Sequence, residues 1–244
     1  YCYLHIMLIK KISAKFSLVY FSIFIVIGIN APFFPLWLSS KGFTERYIAI
    51  ILATSVLTKL LANPFFAGLG DKYGNRKIPM LYLSFISIIV LFSLNIFNSL
   101  YIISFIAITS WALFAPLMPL TESLTTTAIK KYNFDYGNTR LWGSVSFIII
   151  AFFGGIIIEK YGLKYVPILM TIGALFLFLS IIIMPTIPSL PARKKFSTYA
   201  LLKNRNFFPF LLACGAIQSS HGLYYGFSTI YWKSIGISET IIGA

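Results

Sequence analysis

Apolar positions along this chain neither alternate nor keep to one helical face. They run on for twenty residues or more and are broken by short clusters of Gly, Pro, Asn and charged residues. About 20 consecutive apolar residues make a helix that crosses the roughly 30 Å hydrocarbon core of a bilayer. Seven such helices are predicted: Phe16–Leu38, Tyr47–Leu69, Ile78–Phe97, Leu100–Ile129, Tyr136–Ile158, Leu163–Met184 and Phe207–Trp232. Membrane β-barrel strands are shorter and alternate, and soluble cores do not give runs of this length.

Composition agrees with that pattern. Hydrophobic residues make up 58% of the chain and charged residues 11%, and mean hydropathy is +0.85; soluble domains carry about 25% charged residues. The fold class is therefore all-α, a polytopic membrane protein. The net charge of +14 changes meaning in this setting. Lys10, Lys11, Lys15, Lys72, Arg76, Lys77, Lys130, Lys131, Arg193, Lys194, Lys195, Lys203 and Arg205 fall in loops on one side, and Lys41, Arg46, Lys160, Lys164 and Lys233 on the other. That asymmetry places the amino terminus in the cytoplasm by the positive-inside rule, so the basic balance reports topology and not a nucleic-acid partner. Cys2 and Cys214 have neither disulfide nor metal spacing, and no metal or cofactor is expected.

Two stretches share one pattern. Leu36-Trp37-Leu38-Ser39-Ser40-Lys41-Gly42-Phe43-Thr44-Glu45 is matched by the ten residues from Ile230 to Glu239: an apolar helix end, a glycine turn, then a hydroxyl residue and a glutamate. Self-similarity at a fixed period marks a repeat architecture. The expected organisation is a terminal segment (1–15), a six-helix half (16–184), a basic, proline-containing cytoplasmic linker (185–206) and the opening of a second half (207–244). Leu36 and Ile230 lie 194 residues apart, and a repeat of that length predicts a chain of roughly twice that length. A finer echo sits inside the first half, where Ala67-Gly68-Leu69-Gly70-Asp71-Lys72-Tyr73-Gly74 is matched by Gly155-Ile156-Ile157-Ile158-Glu159-Lys160-Tyr161-Gly162. Three spans separate them, which puts them on opposite faces, as inverted repeats of three helices require.

A 3+3 inverted repeat in a duplicated six-helix half resembles the major facilitator superfamily. Asp71-Lys72-Tyr73-Gly74-Asn75-Arg76-Lys77, between spans two and three, is similar to that superfamily's acidic, glycine-turn, cationic loop, with Asn75 in place of a basic residue. The resemblance implies that Asp71, Gly74, Arg76 and Lys77 hold a cytoplasmic gate. GLGDKYG does not read as a nucleotide loop, because no strand precedes it.

Three ionisable residues fall inside predicted spans, where a charge in lipid costs at least about 2.5–3.5 kcal/mol. Lys59 precedes Asp71 by twelve residues, which places it roughly 18 Å deep at 1.5 Å per residue. Either it locks helices together in an ion pair or it faces a central pathway. Glu122 and Arg140 lie nine residues either side of Lys131, so a hairpin brings them to similar depth on adjacent helices. A structural salt bridge and a substrate contact both fit that placement. Phe134 to Ser144 resembles the span-five entry of the lactose permease branch and of the phenylpropionate permease group, which implies that Glu122 and Arg140 contact substrate and that Phe147 stacks on it. The seventh span, Ser220 to Trp232, is similar to that of the phenylpropionate group, which also carries a basic residue at the position of Lys59. His221 is either a pore residue or a structural hydrogen-bonder. Asn30, ahead of Pro32 and Pro35, sits in a bent first span of the kind that lines transport sites.

The expected function is alternating-access transport of a small organic solute, an aromatic or other carboxylic acid, coupled to protons. A sugar or nucleoside symporter is the alternative, as is a truncated or split-gene remnant whose missing half a second chain would supply. No H-E-x-x-H or Gly-x-Ser-x-Gly pattern occurs, and an enzyme is not expected. The expected location is a bacterial-type plasma (inner) membrane with a cytoplasmic amino terminus. Impermeant thiol reagents added to intact cells should label Lys41→Cys and not Lys194→Cys in a cysteine-free background. Labelling of position 194 from outside reverses the orientation.

Overall fold

The bilayer-length apolar runs fold into helices whose ends lie where the chain supplies Gly, Pro or Asn. The structure, a computed structural model, describes residues 2–188, 203, 205 and 207–243. Its long helices are α1 (Cys2–Ser40), α2 (Glu45–Lys72), α3 (Lys77–Ser93), α4 (Leu100–Phe114), α5 (Leu117–Tyr132), α6 (Tyr136–Tyr161), α7 (Val166–Ile183) and α8 (Phe207–Ser234); a short 3₁₀ turn (Leu163–Tyr165) leads into α7, and α9 (Glu239–Ile242) follows α8. Among the described residues five helical stretches are long and apolar enough to cross a membrane, with the 17-residue α3 shorter but apolar. α8 has 28 residues, and its middle carries Gln218, Ser219, Ser220 and His221. Beyond Pro188, the expected linker lies outside the described residues except for Lys203 and Arg205.

Most helix ends fall within three residues of expectation, and the larger departures are at three places. The span expected over Leu100–Ile129 is two helices joined at Ala115–Pro116. Pro116 and Pro119 lack N–H groups, so the ladder lapses for one turn there. α3 stops at Ser93, short of Phe97, and the Asn95 amide donates to the Phe92 carbonyl at 3.0 Å, a side chain competing with the helix for its own backbone. α1 starts at Cys2, so residues 2–15 extend the first span as helix; no Gly or Pro occurs before Gly28 to stop it.

α1 is the central element. Phe16, Val19, Tyr20, Ile23, Val26, Ile29 and Phe33 recur at three- and four-residue spacing and are buried along its length. α6, α7 and α8 pack against it. Small residues let the backbones approach: a Cβ on Gly173 would lie 2.8 Å from Ile25 Cγ2, and Ser146 Oγ donates to the Phe21 carbonyl at 2.7 Å. The neighbours obey a two-fold exchange. α1 touches α6 and α7, α4 touches α2 and α3, and α3 touches α7. With α4 and α5 counted as span four, α6 as span five and α7 as span six, exchanging spans one to three with spans four to six leaves this set unchanged, as a 3+3 inverted repeat demands.

The longer repeat is visible in the backbone. Gly42 and Gly236 take φ +91° and +88°; Phe43 N bonds Leu38 O at 3.2 Å and Ile237 N bonds Trp232 O at 3.0 Å. Thr44 and Ser238 then start the next helices at φ/ψ −72/155° and −73/155°. The second turn brings α9 onto α6 through glycines. A Cβ on Gly155 would lie 2.4 Å from Glu239 O, and one on Gly243 2.2 Å from Ala151 O. Gly155→Ala should therefore destabilise the protein by about 1–3 kcal/mol in thermal unfolding in detergent. Gly68→Ala, where a Cβ meets nothing within 4 Å, should be neutral or stabilising; equal losses at both sites refute the close approach.

Candidate functional site

A cavity of about 610 Å³ opens between the helices. α1 supplies Phe24, Ile27, Asn30, Ala31 and Pro35, α2 supplies Leu52, Ser55, Val56 and Lys59, and α4 supplies Trp111. α6 adds Ser144, Phe147 and Ile148, and α8 adds Gly222 and Gly226. The lining is largely apolar and aromatic, with Lys59 its one ionisable residue. The Lys59 ammonium sits 4.5 Å from the centroid of the Trp111 ring, a cation–π contact, and forms no ion pair among the described residues. Asn30 is buried and its amide points to Met170 Sδ at 3.9 Å.

Glu122 and Arg140 are brought together, but beside this cavity and not in its lining. Arg140 Nε donates to Glu122 Oε1 at 3.2 Å. The other oxygen, Oε2, accepts from the Tyr20 hydroxyl at 2.9 Å and from the Tyr136 hydroxyl at 2.6 Å. The guanidinium lies over Tyr20 at 5.3 Å and over Phe24 at 4.7 Å. Phe24 also lines the cavity, so it is the wall between the pair and the open space. Lys59 does not pair with Glu122, whose two oxygens are already occupied by three donors.

His221 lies on an exposed part of α8, its Nδ1 2.9 Å from the Ile217 carbonyl. Sequence reasoning missed Tyr20, Tyr136 and Trp111, since an aromatic in an apolar run carries no periodic signal of its own. Only the adjacency of Tyr136 to the motif ending at Arg140 could have pointed to it.

At the end of α2, Arg76 donates to Asp71 Oδ1 through Nε at 3.1 Å and Nη2 at 2.7 Å, and Nη1 reaches Ser123 on α5. Gly74 turns the chain at φ +60°. Lys77 Nζ donates to the Ile182 carbonyl at 2.8 Å and also to that of Met184, so a cation closes the carboxyl end of α7. At the matching end of α6, Glu159 Oε2 accepts from Thr240 N at 3.0 Å, the start of α9.

The family model described as "MFS_1 like family" matches residues 13–244. The chain belongs to this family of the major facilitator superfamily. It is 30% identical over 234 residues to a "Probable 3-phenylpropionic acid transporter" of Escherichia coli K12, covering 93% of this chain and 61% of that protein. It is 29% identical over 145 residues to the lactose permease of Citrobacter freundii, covering 54% of this chain and 33% of the permease. The solved structure of the nucleoside transporter NupG superposes with a TM-score of 0.73 at 15% identity over 90% of this chain and 57% of NupG, a likeness of fold. The chain thus spans about three fifths of the phenylpropionic acid relative, 61% of its length.

The facilitator chain's Glu122–Arg140 contact predicts a coupling energy. Glu122→Gln and Arg140→Gln should each destabilise, and a double-mutant cycle read by unfolding in detergent should return about 0.5–3 kcal/mol. Additive losses show that the two charges do not interact.

Proposed function

We propose that the protein is a secondary transporter that moves a small organic carboxylic acid, an aromatic acid foremost, by alternating access. The observation that carries this reading is Lys59, a cation inside a largely apolar, aromatic-walled cavity with no carboxylate among the described residues to neutralise it. A charge left so in a low-dielectric interior is unstable unless an anion arrives. The Trp111 face holds the ammonium meanwhile through its quadrupole. An incoming carboxylate gains a charge-assisted bond there while its ring stacks on Phe24, Phe147 or Trp111. The likeness to a phenylpropionic acid transporter supports the same class.

Glu122 and Arg140 act at one remove, stiffening the wall through Phe24, and Asp71, Gly74, Arg76 and Lys77 brace the cytoplasmic gate. The proposal includes coupling to protons and a cytoplasmic amino terminus, the latter supported by the uneven distribution of basic residues between the loops. A sugar is the second reading, supported by lactose and sucrose permease likeness and by a carboxylate–guanidinium pair suited to hydroxyl groups.

Lys59→Gln in the complete protein should lower uptake of an aryl carboxylate by about tenfold or more, the loss of a charge-assisted bond. Uptake of the matching neutral amide should fall much less. Equal losses for both solutes make Lys59 structural and remove the acid reading.

A further inference from the structure

The hydroxyls of α8 fall into two groups. Ser219, Ser220 and Ser234 donate back to their own helix, to the carbonyls of Gly215 at 2.8 Å, Ile217 at 2.7 Å and Tyr231 at 2.7 Å. Ser228 and Thr229 do not. Their oxygens are buried without a hydrogen-bond partner among the described residues, and Thr229 is only 4% exposed. The back-bond their neighbours make is the ordinary resort of a helical hydroxyl. Two adjacent hydroxyls that forgo it, in a buried place, are poised for a partner that is not part of the described chain.

Both line a second cavity, of about 200 Å³. Its wall is aromatic, with Tyr224 and Trp232 edge-to-face at 5.7 Å, and no charged residue lines it. Phe147 and Ile148 belong to this cavity and to the larger one that holds Lys59. Along α6 the lining moves from Ser144 to Ala151 between the two, and along α8 from Gly222 and Gly226 to Ser228 and Thr229. The small cavity therefore continues the large one by about one to two helical turns of 5.4 Å each, away from Lys59.

We infer that the two cavities are the ends of one substrate site, and that its ligand is an aryl carboxylic acid bearing a hydroxyl on the ring. This rests on the proposed transport of a carboxylic acid and sharpens it. The carboxylate meets Lys59, the ring lies against Phe147, Tyr224 and Trp232, and the ring hydroxyl meets Ser228 and Thr229. A pair of hydroxyls both donates and accepts, and so complements a group that does both. A second carboxylate would find no cation at this end, and an ammonium no carboxylate. A site with buried polar groups discriminates against the ligand that leaves them unpaired.

The test measures equilibrium binding of 3-phenylpropionate and of its meta- and para-hydroxyphenyl analogues to the complete protein in lipid nanodiscs. One hydroxylated analogue should bind about tenfold more tightly than the parent, the worth of one to two buried hydrogen bonds. In the Ser228→Ala/Thr229→Val variant the ratio between the two probes should fall to about one. The Ser228→Thr/Thr229→Ser variant, which keeps both hydroxyls, should keep the ratio. Lys59→Gln should weaken both probes together. Equal binding of parent and both analogues in the unaltered protein overturns the inference and leaves carboxylate transport standing, whether or not the variants fold. A preference that survives loss of both hydroxyls overturns it as well. Binding of all probes unaffected by Lys59→Gln, or no binding at all, overturns both readings.

Discussion

Carboxylates are scarce in this protein, and most of its polar architecture follows from where they are placed. Six acidic residues serve twenty basic ones. Asp71 holds Arg76, Glu122 holds Arg140, and Glu239 holds Lys233. Asp135 caps α6 through the Asn138 amide, Glu159 takes the Thr240 amide, and Glu45 stands in the first turn of α2. Each has a position and a duty. Loop cations can turn to water, but Lys59 is set back in the bundle and must rely on an aromatic face. That Lys59 has no ion-pair partner among the described residues is thus a consequence of acids committed elsewhere.

The same scarcity explains why Glu122 is so heavily bonded. A lone carboxylate in a spanning region is tolerable only when its lone pairs are filled. One guanidinium and two phenols fill them, from α1 and α6, so the contact joins three helices including α5. Its position beside Phe24 makes it a brace for the cavity wall. That ring touches both the Arg140 guanidinium and the open space.

Much of the architecture was legible in the sequence because bilayer length and glycine turns are local signals. The repeat from Leu36 to Glu45 and from Ile230 to Glu239 reappears as two turns with matching dihedral angles. Hairpin geometry put Glu122 and Arg140 at similar depth on adjacent helices, with a salt bridge and a substrate contact both open, and the structure has them paired. What escaped was decided by packing or by the limits of periodicity. Pro116 divides a run that hydropathy reads as continuous, and Trp111 becomes part of the site only because α4 lies against α2. Ser228 and Thr229 look like any other helical hydroxyls until their missing back-bonds are seen.

Pro32 and Pro35 have a mechanical consequence. Each lacks an amide hydrogen, so the carbonyls of Gly28 and Ala31 lose the helical donor one turn ahead of them. On one side of this joint, α1 is stapled to α6 by Ser13 to Thr139 and by Ser146 to Phe21. On the other it carries Trp37 and the turn into α2. The hydrogen-bond ladder of α1 is therefore weakest between the segment bonded to α6 and the segment that leads into α2. Ala31, whose carbonyl Pro35 deprives of its usual helical donor, is also one of the residues that line the cavity.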